Sequence, residues 1–216
     1  MSGIMQAMLG GSFGFPNGWP ANIGDAYGGG FFAGQINVSD TKYNLVVAPK
    51  ASGEASRTWG VYGTTTGITS VIDGPSNTTS LAALGASYQA AKFCEDLNIG
   101  DYSDWYLPAQ NELEVLYYFL KPTTNTNNTS SGSNDNAVSP EPISTNYTSG
   151  SPAQTSATGV NGFRSGETNA FTSGTYWSST ETNEYNAWRQ NFDSGNQSFY
   201  SKPDSFYVRA VRRIPV

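Results

Sequence analysis

Residues 104–117 read DWYLPAQNELEVLY, and the fold is read outward from this stretch. Trp105, Leu107 and Pro108 stand where an extended segment enters a helix, and the tryptophan offers the largest single burial there. Beyond them Leu113, Leu116, Tyr117 and Leu120 share one face at helical spacing, which predicts a helix over 109–120. It stops before Pro122, because proline biases the residue preceding it away from helix. Upstream, Leu81, Leu84, Tyr88, Ala91 and Leu97 fall close to a 3.6-residue period, predicting a second helix over 80–97 with Ser80 as N-cap. Asn98-Ile-Gly100 would end it, since glycine is favoured just past the last turn. Cys94 lies near its apolar stripe and reads as an inert core thiol.

Further out the pattern is strand-like on both sides. FFAGQINVSD from Phe31, KYNLVVAPK from Lys42 and TWGVYGT from Thr58 are short β-rich runs, closed by a turn at Asp73-Gly74-Pro75. Downstream, residues 122–175 form a long polar excursion whose anchors are Val138, Ile143, Tyr147, Val160, Phe163 and Phe171. YWSST, NAWRQNFD, NQSFYS and FYVRAVRRI then read as a terminal antiparallel meander with a Gly-containing hairpin at 193–196. The fold class expected is α+β: two helices packed on short antiparallel strands with long polar loops.

Composition narrows the chemistry. The 216 residues include no histidine and one cysteine, with 17 acidic against 11 basic side chains and a net charge of −6. Without histidine there is no Ser-His-Asp triad, no Cys-His pair and no histidine-ligated metal. A lone cysteine forms no intrachain disulfide. The acidic balance argues against nucleic acid, and no apolar run approaches the roughly 20 residues of a membrane span. Aromatics reach 13 %, which argues for a folded domain rather than disorder.

Residues 1–30 mix methionine, aromatics and glycine without a period of 2 or 3.6. They read as an N-terminal attachment arm for another protein or sister chains, leaving 31–216 as the domain. The start carries no Lys or Arg before Lys42, unlike a secretory signal, so synthesis in the cytoplasm is expected.

The 104–117 block resembles the W-x-L-P-x-x-x-E-L-x-x-L signature of the Lcl C-terminal domain family. Tyr176-Trp-Ser-Ser-Thr-Glu181, Ala187-Trp188 with Phe192, and Tyr207-Val-Arg-Ala-Val-Arg212 match that family's later blocks in order. The stretch from Gly29 to Ala51 is similar to versions encoded by phages and prophages. The resemblance implies a C-type-lectin-like fold, used in phages for receptor-binding tips of the major tropism determinant type. Related folds include formylglycine-generating enzymes, whose cysteine chemistry Cys94 alone does not supply. Glycoside hydrolysis would need two carboxylates at a set separation, and the spacing of Glu112, Glu114, Glu181, Glu184 and Asp193 singles out no pair. Calcium-dependent sugar motifs are broken at Glu141-Pro142-Ile143, and Asn134-Asp135-Asn136 lacks an EF-hand pattern. No metal, cofactor or catalytic residue is therefore expected, and the chain is read as a non-enzyme.

The binding face is expected in the late hairpin. Trp188, Gln190 and Phe192 share one face, with Arg189, Asn191 and Asp193 on the other; Gln197 and Phe199 alternate with Ser198 and Tyr200. The candidate ligand-binding residues are Asn183, Tyr185, Asn186, Arg189, Asn191, Asp193, Asn196, Ser198 and Tyr200, a mixture of the kind paratopes favour. Tyr185, Arg189, Asn191 and Tyr200 should be exposed, and Trp188 and Phe192 buried. Arg209 and Arg212 are expected near strand ends, either solvated or paired with Glu112 or Glu181. The function expected is a phage receptor-binding protein, a tail-fibre-tip adhesin for a host surface glycan or protein. The alternative is a structural virion component, a capsid decoration or fibre-capping protein; an enzyme acting on host glycan stands third. Location in the virion after synthesis in the host cytoplasm, attachment to other virion proteins through residues 1–30 and a homo-oligomer such as a trimer complete the expectation, with no membrane insertion.

Overall fold

The computed structural model describes residues 20–139, 145–150 and 160–216. Two of the predicted apolar runs become β2 (Gly30–Val38) and β3 (Thr41–Val47), paired antiparallel through a tight turn. Ser39 and Asp40 both take positive φ there, 49° and 66°, the backbone twist that a two-residue hairpin requires. β1 (Ala26–Tyr27) pairs with β2, and β10 (Val211–Pro215) lies on the far side of β3. β5 (Ala137–Ser139) also pairs with β2 and brings the polar excursion to this sheet.

The second sheet has the order β4 (Glu54–Thr58), β9 (Ser205–Arg209), β6 (Thr175–Glu181), β7 (Asn186–Asn191), β8 (Gln197–Ser201). The terminal strands are thus a meander only through β8. β9 then returns beside β6 with one parallel bridge, Tyr176 to Tyr207, and β10 crosses into the first sheet.

Among the described residues four helical segments stand where two were expected: α1 (Lys50–Gly53), α2 (Gly74–Ala83), α3 (Gln89–Glu95) and α4 (Gln110–Leu120). The predicted helix 80–97 is two helices. α2 starts at the turn signal, with Pro75 in its first turn and the Asp73 carboxylate accepting from Ser76 N; Ser80 is mid-helix and exposed. Gly85, at φ 109°, breaks the run, leaving Leu84 53 % exposed. α4 starts one residue later than expected. Its N-cap is Ala109, and Glu112 reaches back to accept from Ala109 N at 2.8 Å, the one arm of a capping box that an alanine allows.

Two apolar cores result. Ile36, Leu45, Leu113, Leu116, Tyr117 and Leu120 meet Tyr176 and Phe192 in the first; Trp59, Leu81, Tyr88, Cys94, Trp105, Leu107 and Trp177 form the second. Tyr147, Phe163 and Phe171 anchor the polar excursion in the first core, with Val160 against it, while Ile143 lies outside the described residues. Residues 1–19 of the expected arm also lie outside them. Residues 20–30 lie on the body: Ile23 packs against the first core, and Gly28 O accepts from Arg212 Nη1 at 2.8 Å. No helix among the described residues is long and apolar enough to cross a membrane.

Candidate binding surface

The nine expected site residues divide by what their side chains do. Asn183 shapes the β6–β7 turn, its Oδ1 accepting from Tyr185 N and Asn186 N, each at 2.9 Å, and from Asn186 Nδ2. Asn191 does the same for the β7–β8 turn, accepting from Asp193 N, Ser194 N and Ser194 Oγ. Asp193 Oδ1 takes Asn125 Nδ2 at 2.8 Å and Thr123 Oγ1 at 3.2 Å, which ties the hairpin to the start of the excursion. Asn196 closes the turn through its carbonyl, accepting from Asn191 N. These residues build the hairpin rather than face outward from it. Tyr185 and Tyr200 are the two that are strongly exposed, at 42 % and 49 %.

Two expectations about exposure need correction. Arg189 and Asn191 are half-buried: the Arg189 Nε is sealed from solvent, and burial lowers that guanidinium's pKa. Trp188 is half-buried as well, because β8 is the edge of the sheet and no element among the described residues covers it; its ring meets Phe199 across the pair at 6.1 Å. Phe199, placed by alternation beside inward residues, is 48 % exposed for the same reason. Phe192 is fully buried, stacked on Phe171 at 4.2 Å.

Sequence reasoning missed one element of the surface. The run from Thr58 reads as a strand, but β4 ends at Thr58 and Val61-Tyr62 projects as a loop between Gly60 and Gly63; those flanking glycines were the available signal. Tyr62 is 59 % exposed and its ring lies 4.8 Å from that of Tyr185. Nine large apolar or aromatic side chains are exposed among the described residues, and five of them belong to this loop (Val61 and Tyr62), the β6–β7 turn (Tyr185) and β8 (Phe199 and Tyr200). Such clustering marks an interaction surface more than scattered exposure would.

A buried ion pair holds the loop in place. Lys202 Nζ donates to Glu181 Oε1 at 2.5 Å and to Thr64 O at 2.7 Å, and neither charged side chain exceeds 1 % exposure. Thr66 N and Gly67 N donate to the same carboxylate, while Gly63 N and Thr64 N donate to Glu184 O. Burial alone would raise the Glu181 pKa, but Lys202 and the two amides outweigh it and hold the carboxyl below its ordinary value. Trp59 lies under the loop, fully buried, with Nε1 donating to Ser178 O at 2.8 Å. The exposed rings therefore sit on a loop fastened through its backbone at Gly63, Thr64, Thr66 and Gly67.

The arginine pairings differ from expectation. Arg209, fully buried, pairs with Glu54 at 2.9 Å and donates to Ala48 O and Asn169 O; Arg212 pairs with Asp104 at 2.8 Å. Glu112 instead accepts from Tyr106 OH, with Arg213 at 3.7 Å, and Glu114 accepts from Tyr147 OH and Asn134 Nδ2. Both carboxyls are buried, and burial pushes each up to about 7. They are internal fastenings, closed to a substrate. Two clefts lie elsewhere: about 380 Å³ between Arg57 and Phe93 of α3, and about 310 Å³ beside Trp105. No cluster of metal-ligating side chains occurs among the described residues, and the Glu141-Pro142-Ile143 motif lies outside them.

The family model of the Lcl C-terminal domain matches residues 38–212. Among solved structures, a fimbrial protein from Bacteroides ovatus ATCC 8483 is similar, with a TM-score of 0.41 and 16 % identity over 78 % of this chain. The match covers 35 % of that protein, so this chain spans about a third of its length. No curated protein matches the chain.

Proposed function

The chain belongs to the Lcl C-terminal domain family, and on that premise we propose that it is an adhesin-type binding module with a C-type-lectin-like fold, carried at a phage tail-fibre tip and recognising a host-surface glycan. The observation that carries this reading is the aromatic end of the second sheet. Tyr62 and Tyr185 lie in ring contact, Tyr200 is exposed on the adjacent edge strand, and Arg189 and Ser198 share that strand pair's face with it. Flat rings cover the C–H face of a sugar at low entropy cost, and the polar side chains beside them take hydroxyls. No catalysis is assigned, since the buried carboxylates of α4 are occupied by Tyr106, Tyr147 and Asn134.

A glycan microarray tests the ligand class. The wild-type chain should mark a defined set of glycans, and Tyr62→Ala with Tyr185→Ala should lose them while keeping its melting temperature. Equal signal from the double variant would contradict the reading. A second reading, a structural virion component, is favoured by one observation: β8 is an edge strand with no partner on its outer side among the described residues, a template for another chain. Concentration-dependent association, abolished by a proline in β8 and independent of Tyr62, would favour it.

A further inference from the structure

At the C-terminal end of α4, three side chains form an arrangement that the binding surface does not use. Lys121 follows the last helical residue and is 1 % exposed, yet it makes no ion pair among the described residues. Its Nζ lies 3.2 Å from Asn127 Oδ1 and donates also to Asn125 O. Asn127 is 5 % exposed and its backbone is fixed by its N–H, which donates to Ser149 O at 2.7 Å. Tyr117 OH donates to the same Oδ1 at 2.5 Å, and its ring lies 5.7 Å from the lysine nitrogen. The other end of the carboxamide is the telling one: Asn127 Nδ2 is sealed from solvent with no hydrogen-bond partner among the described residues. A buried cation in no direct ion pair among the described residues, beside a buried, unsatisfied amide, is costly if both groups persist as they are.

We propose that Lys121 and Asn127 are joined by an intramolecular isopeptide bond. The neutral Lys121 amine attacks Asn127 Cγ, forming a C–N bond and a tetrahedral carbon whose oxygen is held by the Tyr117 hydroxyl. A proton passes from Nζ to Nδ2, the Cγ–Nδ2 bond breaks, and ammonia leaves as the carbonyl reforms. No oxidant or other reactant is needed. Burial lowers the pKa of Lys121, which raises the share of free amine, and burial raises that of Tyr117, which keeps its hydroxyl a donor. Asp193, whose charge acts on both Lys121 and Tyr117 and whose Oδ1 accepts from Thr123 and Asn125, is assigned the relay of the proton. The bond removes the buried charge and the unpaired amide nitrogen at once. It also closes residues 121–127 covalently at the root of the polar excursion, in a chain whose single cysteine offers no disulfide.

Intact-mass spectrometry of the purified full chain decides this. The folded wild type should weigh one ammonia less than its sequence, and its chymotryptic peptide beginning at Lys121 should give no backbone fragments between 121 and 127. Lys121→Arg and Asn127→Ala should each show the full mass of their own sequence, and Asp193→Asn should slow the loss after refolding. A cyclic imide at any asparagine loses the same mass, but it would persist in Lys121→Arg and leave those fragments present. Full mass in the wild type, or a loss that survives Lys121→Arg, overturns the proposal.

Discussion

Glu114 has no exposed surface, and each of its oxygens accepts from a buried side chain, Tyr147 OH and Asn134 Nδ2. Both donors come from the polar excursion, so this carboxyl fastens that segment to α4. Glu112, two residues earlier, does the same for Tyr106 and the helix start. Burial pushes both carboxyls from the ordinary 4.5 up to about 7. Between those values the folded protein holds more protons than the unfolded chain, so the stability these groups contribute falls as pH rises through that window. Glu181 acts oppositely: its lowered pKa gives stability that is lost on acidification below the ordinary carboxyl range. The melting temperature is therefore expected to fall from pH 5 to pH 8, and Glu114→Gln should flatten that slope. A thermal melt series checks it. A rising or level profile in the wild type would show that these carboxyls ionise freely in the fold.

The β7–β8 hairpin separates what its strands bury from what they display. Phe192 touches Phe171, Tyr176 and Tyr117 at ring distances of 4.2, 4.7 and 5.6 Å, so Phe192→Ala should cost about 3–5 kcal/mol, as full truncation of a core aromatic does. Trp188→Ala should cost clearly less, since that ring is half-buried and meets Phe199 at 6.1 Å rather than a stack of buried rings. Urea denaturation compares the two, and equal losses would mean that the open edge is covered by something else. Much of this was legible in the residues themselves. The α4 stripe of Leu113, Leu116, Tyr117 and Leu120 with Pro122 behind it marks the helix to within one residue. The break at Gly85 was hidden because Leu81 and Tyr88 both reach the second core, so the helical period survives an interruption that the chain does not. Exposure of Phe199 was hidden too, because alternation assigns a face but not whether a neighbouring strand or loop covers it.

Across the whole molecule, the decisive contacts join residues far apart in sequence. Arg209 finds Glu54, 155 positions away, and β10 leaves the second sheet to pair with β3 in the first. Charge and period do not encode such partners, which is why the expected pairings with Glu112 and Glu181 were not those formed. The N-terminal segment divides at the same scale. Residues 26–27 pair with β2, and Gly28 O holds Arg212, so the body extends before residue 31. Removing residues 1–28 should lower the melting temperature, because β1 and the Gly28 carbonyl go with them; circular dichroism checks this, and an unchanged value would show that β1 contributes nothing.

The account as a whole rests on one surface, the rigid loop and hairpin that present Tyr62, Tyr185 and Tyr200. Loss of an aromatic anchor from the centre of an interface costs about 2 kcal/mol or more, roughly thirtyfold in affinity, while surface substitutions usually alter stability by about 0.5 kcal/mol or less. The most direct test is a binding titration of labelled protein on host cells, comparing the wild type with Tyr62→Ala/Tyr185→Ala at matched melting temperature. The account predicts at least a thirtyfold weaker half-saturation for the folded double variant. Half-saturation unchanged from the wild type would contradict it.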